Sequence, residues 1–165
     1  MSSQDKNLSE YKSRAVAYAG DMKIGIVVAE WNHDITFNLL KGAKSTLLKN
    51  GLPQENLYIE QVPGSYELVI GAQMMLENNS LDAVICLGCV IQGQTKHFDF
   101  VCEAVSQGIK DVALKYNKPV VFGVLTDNNK QQSIDRSGGK LGNKGDEAAI
   151  TAIQMVDLQK RLENK

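Results

Sequence analysis

Residues 82–101, DAVICLGCVIQGQTKHFDFV, constrain this chain more than any other stretch. The run Ala83, Val84, Ile85, Cys86, Leu87 is apolar, uncharged and rich in β-branched side chains, which predicts a strand buried on both faces. The strand is expected to break at Gly88 and give way to a polar loop. From His97 onward, Phe98, Val101, Cys102, Val105 and Ile109 recur with helical spacing, so a helix is expected to begin near His97. A strand, a glycine-bearing loop and a helix in that order turn backbone N–H groups toward whatever sits above the strand. The helix N-terminus adds partial positive charge there, which favours an anion.

The segment Gly88, Cys89, Val90, Ile91, Gln92, Gly93, Gln94, Thr95 nearly matches the nucleotide-binding pattern G-x-x-x-x-G-K-[ST]. The deciding position fails, because Gln94 stands where the lysine belongs, and Lys96 comes two residues late. A phosphate-sized anion site is expected, not a nucleoside triphosphatase.

Length and charge narrow the rest. A chain of 165 residues suggests one domain with a core large enough to fold alone. A net charge of −1, without a basic block, argues against nucleic acid and anionic membranes as partners. No apolar run reaches the roughly 20 residues of a membrane span. The polar first 18 residues lack the apolar core of a signal peptide, so a cytoplasmic protein is expected. Cys86, Cys89 and Cys102 are odd in number and sit in apolar segments, unlike a secreted disulfide framework. Cys86 and Cys89 form a C-x-x-C, but side chains three apart on a strand face opposite ways, which suits buried hydrophobes better than a redox pair. Two histidines without a tight Cys/His cluster make no zinc pattern.

Strand and helix patterns alternate along the chain. Residues 1–18 read as a polar extension, with a short edge strand at Ala15, Val16, Ala17 and Tyr18 that needs another sheet edge to pair with. A single α/β domain is expected over residues 19–165. Strands are predicted at residues 23–29, 57–62, 83–87 and 119–126. Helices should follow the first three, with Asn32 or Asp34 capping the first and residues 63–65 turning into and capping the second, so that Glu67 falls in its first turn. Asp127, Asn128 and Asn129 cap a short helix ending near Arg136, residues 138–145 form a glycine-rich loop, and a final helix covers residues 146–162. This order means a parallel sheet covered on both faces. Ligands of such sheets bind beyond the carboxyl ends of the strands. That rule selects Trp31 and Asn32, residues 63–67, residues 88–97 and residues 126–129.

Each selected residue has two readings. Trp31, the sole tryptophan, is either a core aromatic or a flat stacking surface for a heterocycle. Glu67 either complements a helix N-terminus or accepts hydrogen bonds from ligand hydroxyls. His97 either packs at the helix start or moves protons; imidazole is the side chain whose ordinary pKa, about 6.5, lies nearest neutrality. Arg136 is either a solvated charge or a bidentate phosphate clamp. Lys140 and Lys144 read as surface charges unless a ligand or partner subunit approaches.

With these motifs in order, the chain resembles the lumazine synthase family. The resemblance covers residues from about Lys23 to Arg161. It rests on Trp31-Asn32, on VPGSYEL at residues 62–68, on GCVIQGQTKHFDFV at residues 88–101, on FGVLT at residues 122–126, and on Arg136-Ser137-Gly138 with GNKGDEAA at residues 142–149. It implies a three-layer α/β/α, flavodoxin-like fold with a four-stranded parallel sheet. It also implies a transferase of riboflavin biosynthesis that condenses 5-amino-6-ribitylaminouracil with 3,4-dihydroxy-2-butanone 4-phosphate, releasing phosphate and water. By similarity, Trp31 stacks on the pyrimidinedione, while Asn32, Cys89, Val90 and Ile91 hold its polar edge. Ser65, Tyr66 and Glu67 bind the ribityl chain. Gln94 and Thr95 offer backbone N–H groups to the phosphate, and His97 moves protons. Phe122 and Arg136 reach in from a neighbouring subunit, Arg136 and Lys144 meeting the phosphate. Neither a cofactor nor a metal is implied.

The chain departs from the family at Gln92, where Arg is common, at Gln94, where Glu or Ala is common, and at Val69, where Pro is usual. The first two lower the local charge and imply weaker phosphate affinity. The family also implies self-association into pentamers or a 60-subunit icosahedral shell. The compact connection over residues 136–143 favours the shell, with the N-terminal strand added to a neighbour's sheet and riboflavin synthase as a candidate partner within. The competing readings are a flavin- or phosphometabolite-binding module without turnover, and a purely structural shell protein.

Overall fold

A computed structural model describes residues 7–10 and 16–164. Four strands, β1 (Ile24–Ala29), β2 (Leu57–Val62), β3 (Ala83–Ile91) and β4 (Val120–Asp127), form one parallel sheet in the order β2-β1-β3-β4. The helices are α1 (His33–Lys49), α2 (Leu68–Asn78), α3 (His97–Tyr116), α4 (Lys130–Arg136) and α5 (Lys144–Glu163). Strand alternation divides the interior. Ile24, Ile26, Val28, Ile85 and Leu87 face α1 and α5, whereas Val27, Ala29, Val84 and Cys86 face α2 and α3. The result is the three-layer α/β/α, flavodoxin-like arrangement expected for the family. Every residue of β1 is buried, which is why its sequence reads as an unbroken apolar run. Each fully buried Leu or Ile, such as Leu39 and Leu47 of α1, contributes about 1.5–3 kcal/mol.

Two local expectations are corrected. β3 does not break at Gly88 but runs on to Ile91, because residues 88–91 pair with Val124, Leu125, Thr126 and Asp127 of β4. The polar loop therefore begins only at Gln92. Gly88 is needed for a different reason: a Cβ there would stand 2.7 Å from Ser65 Oγ and 2.9 Å from Leu68 Cδ1. Secondly, the glycine-rich segment is not an open loop. It holds a small antiparallel hairpin, β5 (Ser137–Gly139) and β6 (Gly142–Asn143), and α5 starts at Lys144, capped by Asn143 Oδ1 accepting from Gly145 N at 2.8 Å. The edge strand expected over residues 15–18 needs a neighbour's sheet to pair with; in the single chain Val16 and Ala17 pack against the α1/α5 side of the core, and Ala15 lies outside the described residues.

Helix starts also differ in detail. Asn32 precedes α1 in the left-handed region, at φ 59°, and caps nothing with its side chain. Ser65 does not cap α2, and Glu67 stands just before the helix, not within its first turn. Asn129 does cap α4, its Oδ1 accepting from Gln132 N at 3.1 Å. No described helix is long and apolar enough to cross a membrane.

Candidate active site

The carboxyl ends of β1, β2 and β3 open into one cavity of about 680 Å³. Each wall follows from a local feature. The turn from β1 into α1 presents Trp31 and Asn32. The turn from β2 into α2 presents Gly64, Ser65, Tyr66 and Glu67. The last three residues of β3 (Cys89, Val90 and Ile91) form the floor. Gly93, Thr95 and the first turn of α3, with His97, close the far side.

Trp31 is 72% exposed, so its indole is an open surface and not a core aromatic. Asn32 reaches across the sheet, its Nδ2 donating to the Cys89 carbonyl at 2.9 Å. This bond locks the β1 turn onto the β3 end and explains why the left-handed position carries Asn, which tolerates that conformation. Ser65 is buried, and its Oγ is the one buried side-chain polar atom without a hydrogen-bond partner among the described residues. An unpaired buried hydroxyl costs about 1–3 kcal/mol. It stands beside Gly88, 2.7 Å from where a Cβ on that residue would lie. Glu67 makes no side-chain cap and borders the cavity. His97 is exposed at the first position of α3, its backbone N–H donating to Thr95 Oγ1 at 3.4 Å.

Cys89 lines the floor but is no nucleophile. Burial pushes its thiol up to about 11; the bond to Ser133 opposes the rise and the Asp127 and Asp34 charges add to it. Burial alone takes Cys86 to about 12. The two thiols lie in opposite core layers, as expected for strand residues three apart. Among the described residues no group of three His, Cys, Asp or Glu is placed to hold a metal.

Four predicted site residues lie elsewhere in the single chain. Gln94 is exposed in the loop and does not line the cavity. Phe122 and Lys144 line a second groove, of about 720 Å³, between the ends of α3, β4 and α5. Lys144 is not a solvated charge: its Nζ is 2.9 Å from Glu147 Oε1 and both side chains are mostly covered. Arg136 ends α4, half-buried, with Nη1 donating to Gln132 O at 3.0 Å. Among the described residues, no lysine or arginine lines the His97 cavity. Conversely, Phe100 and Val101 line it and were not anticipated; their positions three and four residues after His97, on one helix face, were the available signal.

Comparison with known proteins places the chain in a family. The family model described as 6,7-dimethyl-8-ribityllumazine synthase matches residues 21–160. The 6,7-dimethyl-8-ribityllumazine synthase of Cytophaga hutchinsonii is 59% identical over 156 residues, covering 94% of this chain and 98% of the relative. That of Parabacteroides distasonis is 55% identical over 157 residues, 95% and 98%. That of Flavobacterium johnsoniae is 54% identical over 161 residues, 98% and 85%.

Proposed function

The chain belongs to the 6,7-dimethyl-8-ribityllumazine synthase family, and on that premise we propose that it condenses 5-amino-6-ribitylaminouracil with 3,4-dihydroxy-2-butanone 4-phosphate, a transferase step of riboflavin biosynthesis. One observation carries the reading at the level of the site. A single cavity at three strand ends gathers an exposed indole, a carboxylate, strand-end polar groups and an imidazole.

In this reading Trp31 stacks on the pyrimidinedione, and Asn32 with the Cys89–Ile91 backbone meets its polar edge. Ser65, the Tyr66 backbone and Glu67 take the ribityl hydroxyls. Amine attack on the ketone, loss of water, elimination of phosphate and ring closure all require protons to be moved, and His97 is the group for that work. Holding amine and ketone together supplies much of the acceleration. Gln94 and Thr95 offer N–H groups to the phosphate. Mixing the two substrates with protein and following lumazine absorbance and fluorescence tests the activity. Product formation no faster than the uncatalysed background would leave only a binding module or a shell protein.

We also infer that the chain works as a homo-oligomer in the cytoplasm. A phosphate leaving group needs a cation, yet among the described residues of one chain no lysine or arginine lines the His97 cavity, and Phe122 and Lys144 border a different groove. A neighbour bringing Phe122, Arg136 and Lys144 to that cavity supplies what is missing. The proposed assembly is a pentamer or a 60-subunit shell of pentamers, with residues 15–18 adding to a neighbour's sheet and riboflavin synthase as the enclosed partner of a shell. Sedimentation separates the two assemblies, and a monomer that turns over at full rate would remove both.

A further inference from the structure

Ser133 and Asp127, in a buried polar cluster beneath α4, take part in none of the steps above. Ser133, fully buried on α4, donates from its hydroxyl to Asp127 Oδ2 at 2.8 Å. The same hydroxyl oxygen receives the Cys89 thiol at 3.4 Å. Asp127 is the last residue of β4, buried, and opposite Ile91 in the sheet register. Its other oxygen, Oδ1, lies 3.9 Å from Arg136 Nη1. That separation exceeds a hydrogen bond, so the pairing is electrostatic and leaves the guanidinium donors uncommitted. Nη1 itself is turned back onto α4, donating to Gln132 O. Among the described residues, no hydrogen bond engages Nη2 or Nε.

We propose that Asp127, pinned by Ser133, is a positioning residue for Arg136: it holds Nη1 against the protein so that the remaining guanidinium N–H donors stay free for a phosphate monoester. This rests on the reading of Arg136 as the phosphate clamp. The physical case is one of preorganisation. A long arginine side chain loses much rotamer freedom when it binds an anion, and a fixed countercharge removes part of that loss beforehand. A carboxylate can serve as that fixed point only if it cannot swing. Burial at a strand end and the Ser133 hydrogen bond meet that need. The cluster also connects to the other half of the site, because Cys89, which contacts Ser133 by its thiol, holds Asn32 by its carbonyl.

The test measures KM for each substrate and the inhibition constant of inorganic phosphate, using the full-length assembled protein. The variants are Asp127→Asn, Ser133→Ala, Arg136→Ala and the double variant Asp127→Asn/Arg136→Ala. Asparagine keeps the shape and can still accept from Ser133, so the fold survives while the charge goes. Asp127→Asn is expected to raise KM for the phosphorylated ketone and the phosphate inhibition constant together, by about 3- to 10-fold. KM for the pyrimidine should stay within about twofold. Ser133→Ala is expected to move the same two constants by a smaller factor. In the Arg136→Ala background, Asp127→Asn should add nothing. If Arg136→Ala weakens phosphate but Asp127→Asn does not, or adds its full factor in that background, the positioning role is overturned while the clamp stands. If Arg136→Ala itself leaves both constants unchanged, the clamp reading falls, and the positioning role with it.

Discussion

The Asn32 side-chain amide donates to the Cys89 carbonyl at 2.9 Å, tying the start of α1 to the end of β3 from a left-handed backbone position. Two costs can be separated there. Asn32→Gly keeps the conformation and loses the hydrogen bond, costing about 1 kcal/mol. Asn32→Ala loses both, costing about 2–3 kcal/mol in all. Urea denaturation at one fixed protein concentration checks the order; equal losses would show that the backbone conformation carries no penalty.

Ser65, just ahead of α2, packs against Gly88 of β3. Gly88→Ala places a methyl 2.7 Å from Ser65 Oγ and 2.9 Å from Leu68 Cδ1 and is expected to cost about 1–3 kcal/mol. Ser65→Ala removes a buried hydroxyl without a partner and should be neutral or stabilising by up to about 1 kcal/mol in the free protein. Because the two share a contact, the double variant should be less destabilised than the sum of the singles. Strict additivity would show that Leu68 alone carries the clash.

Cys86 links stability to alkaline pH. Its thiol is pushed from an ordinary 9.0 up to about 12 by burial, so the fold keeps it protonated while the unfolded chain ionises first. The stabilising effect is complete below about pH 9 and drains away as pH rises toward about 12, at up to about 1.4 kcal/mol per pH unit. Cys86→Ala, which destabilises at neutral pH by leaving a small void, should therefore lose less relative to the parent at about pH 10 than at about pH 7. A constant gap between the two proteins across that window contradicts the burial argument.

Trp31 is the sole tryptophan and is 72% exposed at the cavity mouth, so intrinsic fluorescence reports directly on it. The pyrimidine substrate is expected to quench it. Trp31→Phe should keep most of the affinity, whereas Trp31→Ala should weaken it about 2- to 10-fold, the scale of one aromatic stacking contact. Unquenched emission at saturating substrate would place the heterocycle elsewhere.

His97 tests the chemistry. His97→Ala is expected to lower turnover by roughly 10- to 1000-fold, with much of the acceleration surviving because alignment of the two substrates is untouched. Unchanged turnover would assign His97 a structural part at the start of α3.

The four strands and the long helices were legible in the residue order, because buried parallel strands leave apolar runs and packed helices leave a 3.6-residue rhythm. That Trp31, Asn32, residues 65–67 and His97 gather at the strand ends was legible for a related reason: polar and aromatic side chains there interrupt the apolar pattern. Local signals misled where pairing outweighed them. Gly88 looked like a break, yet the β4 partners of residues 88–91 held the strand together, and its missing side chain proved to make room for Ser65. Periodicity also fails to report which groups meet across layers. The His97 cavity, walled by residues from Trp31 to Val101, and the line from Cys89 through Ser133 and Asp127 to Arg136 join residues far apart in sequence. Residue order by itself determined the strands, the helices and the types of chemistry at their ends. The tertiary structure decided which of those groups share one cavity and which are left facing away from it, since only packing sets the distances on which hydrogen bonds and charges depend.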